Sequence, residues 1–189
     1  MPSLFLIFPQ CVAGDRSSAR CDGVGGGLGI EFSALWRVSP YFAWGGTFAV
    51  GGLRYDPPSG LAIRDASAAA VFIGLLGRVY FIDEGSFDPY LELGLGGGAM
   101  ATSGREADDV VYDHTSAGGA IRGAAGIDFY LSRSLRLGPS VSWMRIFVDN
   151  VQRCKSGGGN CTDLSTDDGY LAGHVDVSVK LTIMIGDEM

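Results

Sequence analysis

The chain has 189 residues, of which 47% are apolar, 19% are charged and 30 are glycine, and its formal net charge is −7. The apolar content excludes a disordered chain, the glycine content disfavours long helices, and the negative charge argues against nucleic-acid binding, which uses a basic face. No apolar run reaches the roughly 18 residues of a transmembrane helix, but membrane-barrel strands need only about 9–11 residues.

The first predicted strand covers Ser3 to Gln10, and a polar segment from Cys11 to Asp22 follows it. The surrounding run from Met1 to Ala13 is largely apolar. A signal peptide requires basic residues before its apolar part, and this run has none. We therefore interpret residues 1–22 as the remnant of a first strand with its loop. An upstream export signal would then be missing from this sequence, the alternative being a degraded signal peptide.

Seven further segments alternate apolar and polar residues with the period of two that is typical of β-strands. The clearest lies at the C-terminus, where aliphatic residues from Val175 to Ile185 alternate with mostly polar ones. The alternation breaks at Pro139 and Arg145, and Pro139, which cannot donate to a ladder, predicts a bulge. In chain order the seven segments are Val24–Val38, Phe42–Tyr55, Ala68–Ile82, Pro89–Met100, Ala117–Leu131, Leu135–Phe147 and His174–Ile185.

The connections between these segments are alternately short and long, which predicts an all-β, up-and-down antiparallel barrel of about eight strands. Short turns then occupy one rim and long loops the other. Both cysteine pairs fall on the loop side, and we expect two local disulfides, Cys11–Cys21 and Cys154–Cys161, with buried free thiols as the alternative. Because neither pair has Cys-x-x-Cys spacing and the chain has only two histidines, we expect no metal site and no cofactor.

The two faces of the predicted strands differ in chemistry. One is aliphatic and the other carries charges of both signs, so a membrane barrel would turn the first to lipid and the second to its lumen; a solvated sheet face is the alternative. Unpaired charges in a narrow lumen would be costly, so these charges are expected to pair. The predicted lumen charge network is Glu31, Arg78, Glu92, Arg122, Asp128, Arg136, Asp176 and Lys180, with Glu92, Arg78 and Arg122 near its centre.

Aromatic residues gather where the predicted strands meet short turns. The predicted aromatic girdle is Trp36, Phe42, Trp44, Phe81 and Phe129. Rings at strand ends are typical of the interfacial girdles of membrane barrels, although strand ends in other proteins are often aromatic too.

Three stretches carry a resemblance to a known family: PYLELGLGGG (Pro89–Gly98), GAAGIDFYLSRSLRLGPSVSW (Gly123–Trp143) and the terminal alternating strand. They resemble the units of small eight-stranded bacterial outer-membrane barrels, OmpA/OmpX-like in the broad sense. The resemblance extends from about Val24 to Ile185. The chain departs from that family by ending in IMIGDEM rather than on an aromatic residue, and by lacking a recognisable signal peptide.

Three function classes follow. The first is a non-enzymatic outer-membrane barrel with a structural, adhesive or envelope-interaction role through its long loops, its lumen plugged by charged side chains. The second is a lipid-modifying enzyme, because His114 and Ser116 resemble the H-x-S pair of outer-membrane lipid A deacylases, with Asp113 available to orient the histidine. The third is a soluble lipocalin-like carrier.

The interpretation we adopt is the first of these. We expect residues 1–189 to form one barrel domain in the bacterial outer membrane, monomeric and without enzymatic activity. The expected partners are membrane lipid or lipopolysaccharide and an extracellular or envelope protein that contacts the loops, and nucleic acid is not expected among them. General porin activity is not expected, because eight strands leave an interior just wide enough for side chains or one small ligand.

Overall fold

Eight long antiparallel strands close into a barrel in the computed structural model. It describes residues 2–12, 24–55, 64–82, 86–105, 111–132, 135–155, 161–163 and 170–183. The long strands are β1 (Pro2–Val12), β2 (Val24–Ser39), β3 (Phe42–Tyr55), β4 (Arg64–Tyr80), β5 (Phe87–Arg105), β6 (Val111–Tyr130), β7 (Leu135–Lys155) and β9 (Tyr170–Ile183). Within the described part of the chain, the short β8 (Cys161–Asp163) pairs only with β7.

The pairing follows chain order around the ring. Each strand from β1 to β7 pairs with the next, β7 also pairs with β9, and β9 pairs with β1, so no long strand is left at an open edge. This is the predicted up-and-down order. We call the end with the short β2–β3, β4–β5 and β6–β7 connections the turn rim and the opposite end the loop rim. The described residues contain no helix long and apolar enough to cross a membrane.

Successive residues of each strand face opposite sides of the wall, as the period of two requires. On β2, for example, Leu28, Ile30 and Phe32 are exposed outward, whereas Glu31 and Ser33 are buried inside. The predicted bulge at Pro139 is wrong: Pro139 is exposed on the outer face and pairs with Val179 in unbroken register. The irregularity between β6 and β7 lies instead at Ala117/Gly118.

The interior has two layers. The layer near the turn rim is polar and charged. The layer toward the loop rim is an apolar cluster, which the sequence analysis did not anticipate for a lumen; it consists of Phe5, Ile7, Ala49, Leu53, Ala68, Ala70, Phe72, Met100, Ala120, Met144 and Ile146. Side chains therefore fill both the turn-rim half and the loop-rim half of the lumen.

The second predicted disulfide is present. Cys154 and Cys161 lie opposite each other on β7 and β8, with a Cα–Cα distance of 4.1 Å, and their sulfur atoms are bonded. The bond closes the hairpin at the loop rim. The other predicted disulfide cannot be described in the same way, because Cys21 lies outside the described residues.

Candidate functional site in the barrel lumen

The centre of the polar layer is an ion pair between Arg78 on β4 and Glu92 on β5. The two residues are direct partners in the β4–β5 ladder, so both side chains enter the lumen at the same height. Glu92 Oε2 accepts hydrogen bonds from Arg78 Nη2 at 2.7 Å and from Nε at 3.0 Å. Both side chains are buried, so the pair is removed from water.

Lys180 on β9 links this pair to the far side of the barrel. Its Nζ lies 3.3 Å from Glu92 Oε1 and 3.4 Å from Glu31 Oε1 on β2. Arg122 on β6 also donates to Glu31, at 2.6 Å from Nη2 to Oε2. Salt bridges thus connect four strands, β2, β5, β6 and β9, across the lumen.

A second group of ion pairs lies toward the turn rim around Asp88. Its Oδ2 is 3.2 Å from Arg37 Nη2 and 3.3 Å from Arg136 Nη1, and it accepts a hydrogen bond from the Tyr130 hydroxyl at 3.1 Å. Asp128, the cross-strand neighbour of Asp88, pairs with the first group, because its Oδ2 lies 3.3 Å from Arg78 Nη1.

Hydroxyl side chains extend the network between the charges. Ser142 accepts from Arg122 Nη2 at 3.1 Å and donates to Asp176, which lies 3.5 Å from His174 Nε2. On the other side, the Ser33 hydroxyl donates to Glu31 at 2.9 Å. These short polar side chains supply hydrogen bonds to buried carboxylate oxygens, which would be costly to leave without a partner.

Tyrosine rings pack against the guanidinium groups. The Cζ atom of Arg78 lies 3.9 Å from the centre of the Tyr90 ring, and that of Arg37 lies 4.3 Å from the centre of the Tyr80 ring. The face of an aromatic ring attracts a cation, so this stacking stabilises the guanidinium groups, and the rings fill the space beside the ion pairs. The turn-rim half of the lumen is therefore occupied by side chains that hold one another in place.

The charges of this layer are balanced. Five cationic and five acidic side chains point inward among the described residues: Arg37, Arg78, Arg122, Arg136 and Lys180 against Glu31, Asp88, Glu92, Asp128 and Asp176. Because the two numbers are equal, the layer has no formal net charge, and each charged group has a partner of opposite sign or a hydroxyl beside it.

The structure places all eight residues of the predicted network inside the barrel. The structure differs from the predicted arrangement at Arg122, whose guanidinium pairs with Glu31 across the lumen and not with Glu92. The second cation beside Glu92 is Lys180. Sequence reasoning missed Asp88 and Arg37. The alternation of faces along a strand could have identified them, because Asp88 lies on the same face of β5 as Glu92 and Arg37 on the same face of β2 as Glu31.

The H-x-S pair lies on β6 near the loop rim. Ser116 is buried on the inner side of the wall, and its hydroxyl donates to the Met100 carbonyl oxygen at 3.3 Å. Two residues away on the same strand, His114 lies on the same face. The pair therefore faces the lumen, whereas an enzyme that acts on membrane lipid would need it at the lipid-facing surface. The described residues hold no group of three or more His, Cys, Asp or Glu side chains arranged to bind a metal ion.

The outer surface is an apolar belt with aromatic rings at the turn rim. All five residues of the predicted girdle are exposed there, and Trp36 and Trp44 pair across β2 and β3 with ring centres 5.9 Å apart. Tyr41 and Phe87, which the sequence analysis missed, belong to the same ring of aromatics. The belt above them consists of exposed leucine, isoleucine, valine and phenylalanine side chains. A surface of this kind is matched to lipid and not to water.

Solved structures share this fold. Neisserial surface protein A is 14% identical, with 97% of this chain and 96% of that chain covered and a TM-score of 0.54. A major outer membrane protein from Thermus thermophilus is 10% identical, with coverages of 93% and 98% and a TM-score of 0.54. The outer membrane protein OprG from Pseudomonas aeruginosa is 16% identical, with coverages of 94% and 92% and a TM-score of 0.52. No protein-family model and no curated protein sequence matches the chain.

The chain therefore has the fold of a small outer-membrane β-barrel, which confirms the predicted fold class and the resemblance seen in the sequence. Its apolar face is turned outward and its charged face inward, as a transmembrane barrel requires.

Proposed function

We propose that this protein is a non-enzymatic barrel of the bacterial outer membrane that serves as a closed anchor and presents the segments of its loop rim to an extracellular or envelope partner. The observation that carries the proposal is the filled lumen. A charged layer occupies the turn-rim half and an apolar cluster the loop-rim half.

The filled lumen supports an anchoring role over transport. An eight-stranded barrel leaves little room beyond its own side chains, and here large side chains such as Arg78, Tyr80, Tyr90, Phe72 and Met100 are almost completely buried within it. A solute would have to displace paired charges and then an apolar cluster. What remains accessible to a partner is the outer belt and the two rims.

The geometry gives less support to the two other function classes. A lipid-modifying enzyme built on His114 and Ser116 would need the serine hydroxyl at the lipid surface, and Ser116 is buried on the inner side. A lipocalin-like carrier in water would expose a polar outer face, whereas residues such as Leu4, Leu75 and Leu95 are each more than half exposed here.

The test combines conductance with adhesion, using the full chain. In planar bilayers the protein is expected to give no steady pore. When the barrel is displayed on a Gram-negative host, replacing residues 56–63 or 106–110 by Gly/Ser of equal length is expected to reduce attachment to epithelial cells or extracellular matrix. Replacing residues 83–85 at the turn rim is the matched control and should leave attachment unchanged. A large steady conductance would contradict the closed anchor, and attachment unaffected by both loop-rim replacements would contradict the binding of a cell-surface or matrix partner by these two segments.

A further inference from the structure

Three polar side-chain atoms toward the turn rim are buried and have no hydrogen-bond partner within the part of the chain that the structure describes. They are Asp88 Oδ1, Asp128 Oδ1 and Arg136 Nε. Both aspartates are completely buried and Arg136 is 5% exposed, so bulk water does not solvate these atoms. Because a buried polar atom without a partner is costly, folded proteins pair such atoms with a protein group or with ordered water.

The three side chains are neighbours on the inner wall. Asp88 on β5 and Asp128 on β6 are direct partners in the ladder. Arg136 on β7 pairs with Tyr130, which lies two residues beyond Asp128 on the same face of β6. Arg136 Nη1 is also 3.3 Å from Asp88 Oδ2. The three unpartnered atoms therefore belong to one small region where β5, β6 and β7 run side by side.

Two like charges face each other in this region, and carboxylates opposed on neighbouring strands repel. Arginines neutralise one oxygen of each. Asp88 Oδ2 lies 3.2 Å from Arg37 Nη2 and 3.3 Å from Arg136 Nη1, and Asp128 Oδ2 lies 3.3 Å from Arg78 Nη1. The two Oδ1 atoms have no such donor. A hydrogen-bond donor that contacts both of them would reduce the remaining repulsion.

The mixture of donors and acceptors selects the ligand. The Arg136 Nε–H group can only donate, and an ionised carboxylate oxygen can only accept. A metal cation or an ammonium group could bind the two oxygens but not the N–H group, and an anion could bind only the N–H group. A water molecule can accept one hydrogen bond and donate two, which satisfies all three atoms. Buried waters typically make about three hydrogen bonds of this kind.

The turn rim gives access to this region. Arg37, which pairs with Asp88, has a side chain that is 17% exposed, the largest value among the five inward cations. In the other direction lies the apolar cluster, and none of its described side chains contributes an unpartnered polar atom. Water that enters from the turn rim would therefore find hydrogen-bond partners in the charged layer and none beyond it.

We infer that the lumen binds one ordered water molecule between Asp88, Asp128 and Arg136, where it links β5, β6 and β7. The inference goes beyond the proposed anchor, because a lumen filled by side chains can be closed without binding water at a fixed position. It is also independent of any partner at the loop rim.

Nuclear magnetic resonance of the arginine side chains tests this inference. The full chain, deuterated and with isotopically labelled arginine, is reconstituted in lipid nanodiscs. Rotating-frame Overhauser spectra then separate dipolar contact with water from hydrogen exchange at each Nε–H proton. We expect contact with a long-lived water at Arg136, and none at Arg78, whose Nε donates to Glu92 at 3.0 Å. Arg136→Lys removes the Arg136 signal and so assigns it.

A matched pair of variants locates the water. Asp128→Glu adds one methylene group, which moves the carboxylate into the position of the water, and should remove the contact between water and Arg136. Asp176→Glu makes the same change at an aspartate that is also buried in the lumen, and should leave that contact unchanged.

Two results in the unmodified chain would overturn the inference. Absence of water contact at Arg136 would mean that the three groups pair with one another directly. Equal contact at Arg136 and Arg78 would mean that water enters the layer without a fixed position. Contact that persists in Asp128→Glu would also contradict the site. If Asp128→Glu does not fold, the comparison of Arg136 with Arg78 still decides the question.

Discussion

Replacing Glu92 with glutamine is expected to lower the free energy of unfolding by about 3–5 kcal/mol, the range for removing one partner of a buried ion pair. Glutamine has nearly the same volume and can still accept one hydrogen bond from Arg78, so the loss reports on charge and not on packing. Arg78 keeps Asp128, and Lys180 keeps Glu31. The lumen would then hold one cation in excess. Urea unfolding in detergent or lipid vesicles measures the change.

A second substitution should recover part of this loss. Lys180→Met combined with Glu92→Gln restores the charge balance and leaves the Arg122–Glu31 pair intact. We expect the double variant to be more stable than the sum of the two single changes implies.

The matched control is Glu92→Gln with Arg136→Met. It restores the same balance, but the structure pairs Arg136 with Asp88 rather than Glu92, so its effects should add without recovery. Additive behaviour in both double variants, with small single effects, would show that Glu92 is not part of a buried network.

Arginine in place of Val179 is expected to destabilise the barrel by about 2–4 kcal/mol, the cost of arginine on the lipid face at the bilayer midplane. Val179 is exposed on the outer face of β9, between Leu4 and Pro139. In water this position would tolerate arginine, because an exposed side chain has little packing to lose. The measurement is the free energy of unfolding in phospholipid vesicles.

Two controls accompany Val179→Arg. Val179→Leu keeps the position apolar and should be nearly neutral. Val38→Arg changes an equally exposed valine at the turn rim, where the guanidinium can reach headgroups, and should cost about 0–1 kcal/mol. Equal stability of Val179→Arg and Val38→Arg would argue against a lipid-facing position for Val179.

The strand faces could be predicted because one face is apolar and the other polar, so period two is visible in the sequence. This signal sufficed for Glu31 on β2, for Arg78 and Glu92 on their two strands, and for Asp176 and Lys180 on β9. It also located the short turns and thus the ring of exposed aromatics. Adjacent strands are the easiest case, because the Arg78–Glu92 contact follows from counting residues on either side of one turn.

Contacts across the lumen could not be predicted in this way. Arg122 and Glu31 are 91 residues apart and lie on β6 and β2, which are not neighbours in the ring. Which side chains meet there depends on strand tilt and stagger around the closed barrel, and a strand pattern does not contain that information.

The apolar layer was missed for a different reason. On β7 beyond Ser142, the inward residues Met144 and Ile146 alternate with the outward residues Trp143 and Phe147, so both faces are apolar. An alternation of apolar and polar residues is then not visible in the sequence, and the exposed Arg145 places a charge on the outer face, which is otherwise apolar.

If the apolar outer wall faces lipid, the tryptophans of the chain should report it without any substitution. All three, Trp36, Trp44 and Trp143, are exposed on the outer face. The measurement is tryptophan fluorescence of the full chain in vesicles whose lipids carry bromine on the acyl chains, compared with quenching by acrylamide in the aqueous phase. Strong quenching by the brominated lipids and weak quenching by acrylamide is the result expected here. Fluorescence that is indifferent to brominated lipid and quenched efficiently by acrylamide would contradict the membrane-spanning barrel.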